Sequence, residues 1–381
     1  MTAPVLLVVE QLRRPTPGGV GRYAASLLDG LRVARAPVAG LVASRHRGHG
    51  EDPLARWGFP VMASLLPGPA LVRLWDAALL ASPAGAPVVH AVSLAAPPPR
   101  RQEGRRQALV VTVHDLAWRD LPDATTPRGR RWHEAALGRA LARADAFVVP
   151  SQPVAAALAG AGAEPARVHV IGHGVDHLPP PDHQGAAALL ERLGVTGGYL
   201  LAAGTLEPRK NLARLAAAYD QARPRLGADW PLVVVGPPGW GDAGLSLRDG
   251  APTQGAAGAV VAAGAVTDGV LAALYAGARA FCYVPLAEGF GLPPVEAMAC
   301  GAPVVASTAV PSVEPLAGAE APALRVDPSS APAIADALVT ASGDDAVRTA
   351  LIARGRQHVA GRTWRQSAQA HLDLWASVGA P

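Results

Sequence analysis

Short runs of β-branched and other apolar residues recur along this chain of 381 residues and alternate with segments of helical period. In the first half the runs lie at 5–9, 38–43, 88–92, 109–113, 146–150 and 168–171, with helical segments at 19–35, 130–142 and 154–160. In the second half the runs lie at 199–203, 231–235, 259–263, 280–284, 303–306 and 323–326, with helical segments at 211–223, 268–276, 294–300, 331–342 and 345–359. Apolar runs of strand length that alternate with helices build βαβ units, whose parallel sheets are covered on both faces. Two such sets predict an α/β chain of two doubly wound, Rossmann-like domains. The expected boundaries are 1–176 for the first domain, 177–198 for a linker containing Pro179-Pro180-Pro181, and 199–360 for the second domain. The last segment, 361–381, is left outside both. In open parallel sheets ligands bind beyond the carboxyl ends of the strands, so a cleft between the two domains is the expected site.

Composition narrows the function. Of 34 basic side chains, 33 are arginine; the one lysine is Lys210, and the one asparagine is Asn211 beside it. Residues 1–175 hold 20 arginines against 12 acids, whereas the rest of the chain is net acidic. A basic front half suits anionic ligands or an anionic membrane surface, and Arg100, Arg101, Arg105 and Arg106 form its densest cluster. Nucleic acid is not expected, because only 4% of residues are aromatic and they do not interleave with the basic ones. Two cysteines, Cys282 and Cys300, make neither a disulfide framework nor a four-ligand zinc site. With no leader-like start and no apolar run of about 18 residues, the expected location is cytoplasmic.

Four loops carry residue types that handle anions and sugars. After the first run comes Pro17-Gly18-Gly19-Val20-Gly21, where glycines open the backbone at a helix start. Its spacing is not that of a dinucleotide turn. After the 109–113 run stands His114-Asp115, a histidine placed to accept a hydrogen bond from a substrate hydroxyl. After the 199–203 run comes Glu207-Pro208-Arg209-Lys210-Asn211, whose adjacent cations at a helix start can neutralise a diphosphate. A chain that writes arginine 33 times would also write a merely solvated charge as arginine, so the lysine marks a position that needs a compact charge. Asn211 is expected to cap the helix that follows. After the 280–284 run, Glu288 and Glu296 frame Gly289-Phe290-Gly291-Leu292-Pro293-Pro294. The prolines should start a helix with Glu296 in its first turn, and Gly289 and Gly291 leave backbone N–H groups open to a ligand.

Taken in order, Val111-Thr112-Val113-His114-Asp115, Glu207-Pro208-Arg209-Lys210-Asn211 and the Glu288-to-Glu296 stretch resemble the retaining nucleotide-sugar glycosyltransferases of the GT-B fold (glycosyltransferase family 4, group 1 type). Gly18-Gly19-Val20-Gly21 and Gly172-His173-Gly174-Val175-Asp176 fit as well, although many members carry asparagine where His173 stands. The resemblance covers nearly the whole chain and implies two Rossmann-like domains facing across a cleft. It further implies that Arg209 and Lys210 contact the donor diphosphate, with Gly19 near it from the other domain. Glu296 would bind the ribose, Glu288 with the backbone of Phe290, Gly291 and Leu292 would contact the donor sugar, and His114 would lie at the reacting centre. The final segment, from Thr363-Trp364 to Val378, resembles the helix that crosses back onto the first domain. No metal or other cofactor is implied; GDP-mannose or a UDP-sugar would be the donor, and a glycan, lipid-linked or small-molecule hydroxyl the acceptor. The stretch from Val111 leans towards mannose. A sugar-nucleotide epimerase on the same fold and a non-catalytic nucleotide-sugar-binding subunit are the competing readings. A phosphorylase would need a lysine for its pyridoxal cofactor, and the one lysine is already engaged.

Overall fold

The computed structural model describes residues 4–48, 50–102, 104–239 and 260–379. The first residue of the strand expected at 259–263 therefore lies outside the described residues. The chain divides into two units, 1–174 with 362–381, and 175–361.

In the first unit the strands are β1 (Val5–Val8), β2 (Val38–Ala43), β3 (Val61–Ala63), β4 (Val88–Ala91), a hairpin of β5 (Arg101–Gln102) and β6 (Arg105–Arg106), β7 (Ala108–Thr112), β8 (Ala146–Val149) and β9 (Val168–Val170). The helices between them are α1 (Gly18–Val33), α2 (Gly68–Asp76), α3 (Ala117–Asp120), α4 (Pro127–Arg143) and α5 (Gln152–Gly160). Seven strands pair in the order β3-β2-β1-β4-β7-β8-β9, and every neighbour is parallel. The central strands are buried on both faces, which is why their sequences read as unbroken apolar runs. Phe147 anchors this core at 0% exposure, and its truncation to alanine would cost about 3–5 kcal/mol.

The second unit contains α6 (His183–Arg192), β10 (Leu200–Ala203), α7 (Leu212–Ala222), β11 (Leu232–Val235), β12 (Val260–Gly264), α8 (Asp268–Gly277), β13 (Ala280–Tyr283), α9 (Leu292–Ala299), β14 (Val304–Ser307), β15 (Leu324–Val326), α10 (Ala331–Gly343) and α11 (Asp345–Val359). Its sheet runs β12-β11-β10-β13-β14-β15, again all parallel. Counted within the unit this is 3-2-1-4-5-6, the doubly wound order. The strand order reverses between β10 and β13. Loops leaving the carboxyl ends of those two adjacent strands are where such a sheet holds ligands.

The segment 177–198 is not a bare linker. It carries α6, whose Ala186 and Leu189 are buried and whose first turn is capped by Asp182 accepting from Gly185 N–H at 2.8 Å. The final helix, α12 (Trp364–Val378), belongs to the first unit. It begins with a capping box between Thr363 and Gln366. Gly174 lies against its first residue so closely that a Cβ there would stand 2.2 Å from the Trp364 backbone nitrogen. His173, the residue in the place of the family's asparagine, stacks on the Trp364 ring at 5.4 Å.

Candidate functional site

In the second unit, the turn after β10 is built by Pro208, whose fixed φ starts a single 3-10 turn over Pro208–Lys210. Asn211 follows at φ 60°, ψ 31°, a left-handed conformation that asparagine tolerates better than most residues. Its side chain makes no cap to α7, contrary to expectation. Instead the amide donates to the Val284 carbonyl at 3.0 Å and to the Pro328 carbonyl at 2.8 Å, while its oxygen accepts from Arg214 at 3.1 Å. The lone asparagine thus ties together the loops that follow β10, β13 and β15. Aspartate has the same shape but no N–H to give.

With the turn pinned in this way, Arg209 and Lys210 meet the loop after β13. Lys210 Nζ lies 2.7 Å from Glu288 Oε2 and 2.6 Å from the Tyr283 hydroxyl, and that hydroxyl donates to Glu288 Oε2 at 2.5 Å. Arg209 reaches Glu288 Oε2 at 3.3 Å, the Ala287 carbonyl at 2.9 Å and Glu207 at 2.9 Å. A backbone bond from Leu286 N–H to the Arg209 carbonyl, 3.0 Å, closes the two loops onto each other. Burial pushes the Glu288 carboxyl upwards, but the charges of Lys210 and Arg209, with hydrogen bonds from Lys210 and Tyr283, outweigh it and hold the group far below the usual carboxylate range. Burial and the neighbouring Glu288 charge push the Tyr283 hydroxyl well up, so it keeps its proton. The cluster is therefore two cations, an ionised carboxylate and a neutral phenol.

Beyond Glu288 the chain turns at Gly291, φ 92°, where a Cβ would stand 2.5 Å from the Val310 side chain. Ser312 holds the turn, its N–H donating to the Phe290 carbonyl at 2.9 Å and its hydroxyl to the Gly291 carbonyl at 2.6 Å. Helix α9 then starts at Leu292, two positions before Pro294, so Glu296 is its fifth residue and not in its first turn. Glu296 is 2% exposed; Oε1 is 2.8 Å from His177 Nε2 and Oε2 accepts from the Tyr275 hydroxyl at 3.1 Å. His177, Tyr275 and Tyr283 were not identified from the sequence. Tyr275 and Tyr283 lie inside apolar runs that read as core, and His177 lies in the proline-rich stretch.

His114 and Gly19 belong to the first unit. Gly18, at φ 61°, opens α1 and Gly19 follows; both are exposed, and a Cβ added at either would have nothing within 4 Å. His114 stands two residues past β7, with Nε2 2.9 Å from the Val92 carbonyl. The carbonyl can only accept, so Nε2 carries the proton and Nδ1 is the acceptor of a neutral ring. Burial pushes the His114 pKa down, which favours that neutral form. The ring packs edge-on against Tyr23 at 4.8 Å. Tyr23 joins a second buried polar cluster: its hydroxyl lies 3.2 Å from Thr112 Oγ1 and 2.9 Å from His371 Nε2, and His90 Nε2 lies 2.8 Å from the same Thr112 oxygen.

Two doubly wound parallel-sheet units, the second with cations and a carboxylate gathered at its switch point, define the GT-B class of two-domain proteins. A family model described as glycosyl transferases group 1 matches residues 191–358, and one described as glycosyltransferase family 4 matches residues 17–177. The chain belongs to this glycosyltransferase family. Among curated relatives, it is 35% identical over 175 residues to the O-antigen chain mannosyltransferase B of Escherichia coli, covering 44% of this chain and 42% of the relative. It is 31% identical over 290 residues to the D-inositol 3-phosphate glycosyltransferase of Salinispora tropica, covering 71% of this chain and 59% of the relative. The chain thus spans about half the length of the curated relatives it matches. The crystal structure of Anabaena HepE in complex with UDP and glucose superposes with a TM-score of 0.71 at 19% identity, over 98% of this chain and all of that one, a likeness of fold.

Proposed function

We propose that the protein is a retaining hexosyltransferase that moves a sugar from a nucleotide-sugar donor to an acceptor hydroxyl. The observation that carries this reading is the cluster at the second sheet's switch point, where Arg209, Lys210 and Glu288 converge from adjacent strand ends. Two cations within reach of one another stabilise the charge that develops on a departing diphosphate, and positioning supplies most of the remaining rate. Glu288, kept ionised, accepts hydrogen bonds from donor-sugar hydroxyls, with the backbone of Phe290, Gly291 and Leu292 beside it. Glu296 accepts from the ribose, its two oxygens already aimed by His177 and Tyr275. Gly19 approaches the diphosphate and the neutral His114 accepts from the sugar at the reacting centre. No catalytic metal is assigned, because the cations hold the leaving group.

The mannosyltransferase relative supports mannose as the sugar, for which GDP-mannose is the donor proposed, and the UDP bound to HepE keeps a UDP-sugar in view. The acceptor is a glycan, lipid-linked or small-molecule hydroxyl bound by the basic first unit. The test is a panel of GDP- and UDP-sugars with mass detection of transfer or slow donor hydrolysis. Consumption of one donor with release of its nucleoside diphosphate supports the reading. Conversion to an isomeric nucleotide sugar would instead make the protein an epimerase, and failure to bind any donor would make it a silent subunit.

We further propose a cytoplasmic enzyme that makes a peripheral contact with the inner membrane face through the β5–β6 hairpin. No described helix is long and apolar enough to cross a membrane. Arg101 and Arg105 are exposed on the hairpin, whereas Arg106 pairs with Asp145 and Arg100 donates to the Ser82 carbonyl at 2.9 Å, so the hairpin offers two of the four arginines. Binding to anionic vesicles that weakens with added salt supports this contact, and no binding at low salt refutes it.

A further inference from the structure

We propose that Tyr283 is a positioning residue that keeps Glu288 aimed at the donor sugar while the diphosphate takes over Lys210, so that it governs recognition of the sugar and not of the nucleotide. The inference rests on the reading above, in which Lys210 meets the diphosphate and Glu288 the sugar.

The donors and acceptors present force its direction. An ammonium has only donors and an ionised carboxylate only acceptors. The single phenolic proton must therefore point at Glu288 Oε2, 2.5 Å away, and the phenolic lone pair receives Lys210 Nζ at 2.6 Å. Glu288 is the counter-ion of Lys210, at 2.7 Å, and of Arg209, at 3.3 Å. An arriving diphosphate, with more charge and more oxygens, competes for both cations. Glu288 then loses its ionic partners, and a carboxylate freed in this way would swing unless something neutral still held it.

Tyr283 supplies that hold, since a phosphate oxygen cannot replace an O–H donor. It is the last residue of β13 and 5% exposed, with its ring stacked on Phe281 at 6.3 Å. The hydroxyl is therefore carried by a rigid strand and not by the loop. Every hydrogen bond made to Glu288 by the described residues falls on Oε2. Oε1 is left for the sugar, and the Tyr283 bond fixes its direction.

The test compares Tyr283→Phe with wild type in calorimetric titrations of a nucleoside diphosphate and its nucleotide sugar, using GDP with GDP-mannose and UDP with UDP-glucose. Phenylalanine keeps the buried ring and removes only the hydroxyl. The nucleoside diphosphate should bind within about twofold of wild type, while the nucleotide sugar weakens about tenfold, the loss expected for one hydrogen bond to a charged group. In the Glu288→Gln background the same tyrosine change should have no further effect on the sugar-dependent ratio. Equal weakening of both ligands, no change in either, or full additivity with Glu288→Gln would overturn the proposal. Lys210→Ala is the control for the reading beneath it: undiminished nucleoside diphosphate binding in that variant would sink the diphosphate assignment itself.

Discussion

Each unit buries a polar cluster beside the carboxyl ends of its central strands, and the two clusters are chemically opposite. In the first unit His90, Thr112, Tyr23 and His371 join β4, β7, α1 and α12 in a chain of neutral groups. Burial pushes His371 down to about 4 and His90 well below its ordinary value, and pushes the Tyr23 hydroxyl up. In the second unit the side chains of Arg209 and Lys210 face Glu288, whose carboxyl their charges help to hold ionised. A neutral buried chain suits a fixed joint, since its members bond chiefly to one another, with His90 Nδ1 the one cluster atom left without a partner among the described residues. A charged cluster suits a ligand site, since its counter-ions can be exchanged for those of an incoming anion.

This contrast can be broken first at Lys210. Lys210→Ala should lower sugar transfer by about 10²–10³-fold, the loss of a charge aimed at the leaving group, with the melting temperature within a few degrees of wild type. Transfer at the wild-type rate would mean that the charged cluster is structural after all. Next in size is Asn211→Asp, which sets a carboxylate against the Val284 and Pro328 carbonyls. It should cost about 3 kcal/mol of stability in denaturant melts and misplace the turn, whereas a cost near zero would show that the three loops hold without it.

Acid should separate the units. His371 is neutral in the folded chain down to about pH 4, while an unfolded histidine takes up its proton near 6.5. The unfolded state then binds more protons, so the first unit loses stability as pH falls from 6.5 towards 4, by about 1.4 kcal/mol per pH unit for each such histidine. Glu288 has the opposite history. Its folded pKa lies below the ordinary 4.5, so its contribution is intact above that value and is lost only as pH falls further. Tryptophan fluorescence at stepped pH should show the first unit loosening before the second; simultaneous loss would remove the distinction. The smallest expected change is in Tyr23→Phe, which leaves Thr112 and His371 short of a partner. It should cost about 1–2 kcal/mol while transfer stays within a few-fold of wild type.

Much of this was legible in the amino-acid sequence, for physical reasons. The twelve apolar runs correspond to strands within one or two residues, because parallel strands covered on both faces cannot be disguised. Lys210 and Asn211 stood out because the rest of the chain avoids both residue types. What Asn211 does was not legible, since its partners Val284 and Pro328 lie 73 and 117 residues away. Tyr283 was hidden inside Ala-Phe-Cys-Tyr-Val, a run that reads as core, and only the fold puts its hydroxyl between Lys210 and Glu288. The strand β3 has three residues and α2 starts at Gly68-Pro69, so neither shows a period long enough to read. The antiparallel β5–β6 hairpin has two-residue strands, and the four arginines in and beside it looked alike until Asp145 and Ser82 claimed two of them.

The central claim is that the lone lysine, with Arg209, receives a nucleoside diphosphate in place of Glu288. Calorimetric titration of GDP and of UDP into wild type and into Lys210→Ala measures this without knowledge of the acceptor. At least one nucleotide should bind wild type and lose about thirtyfold or more in affinity in the variant, as expected for a charge-assisted contact to phosphate. Equal affinity in the two proteins would contradict the account.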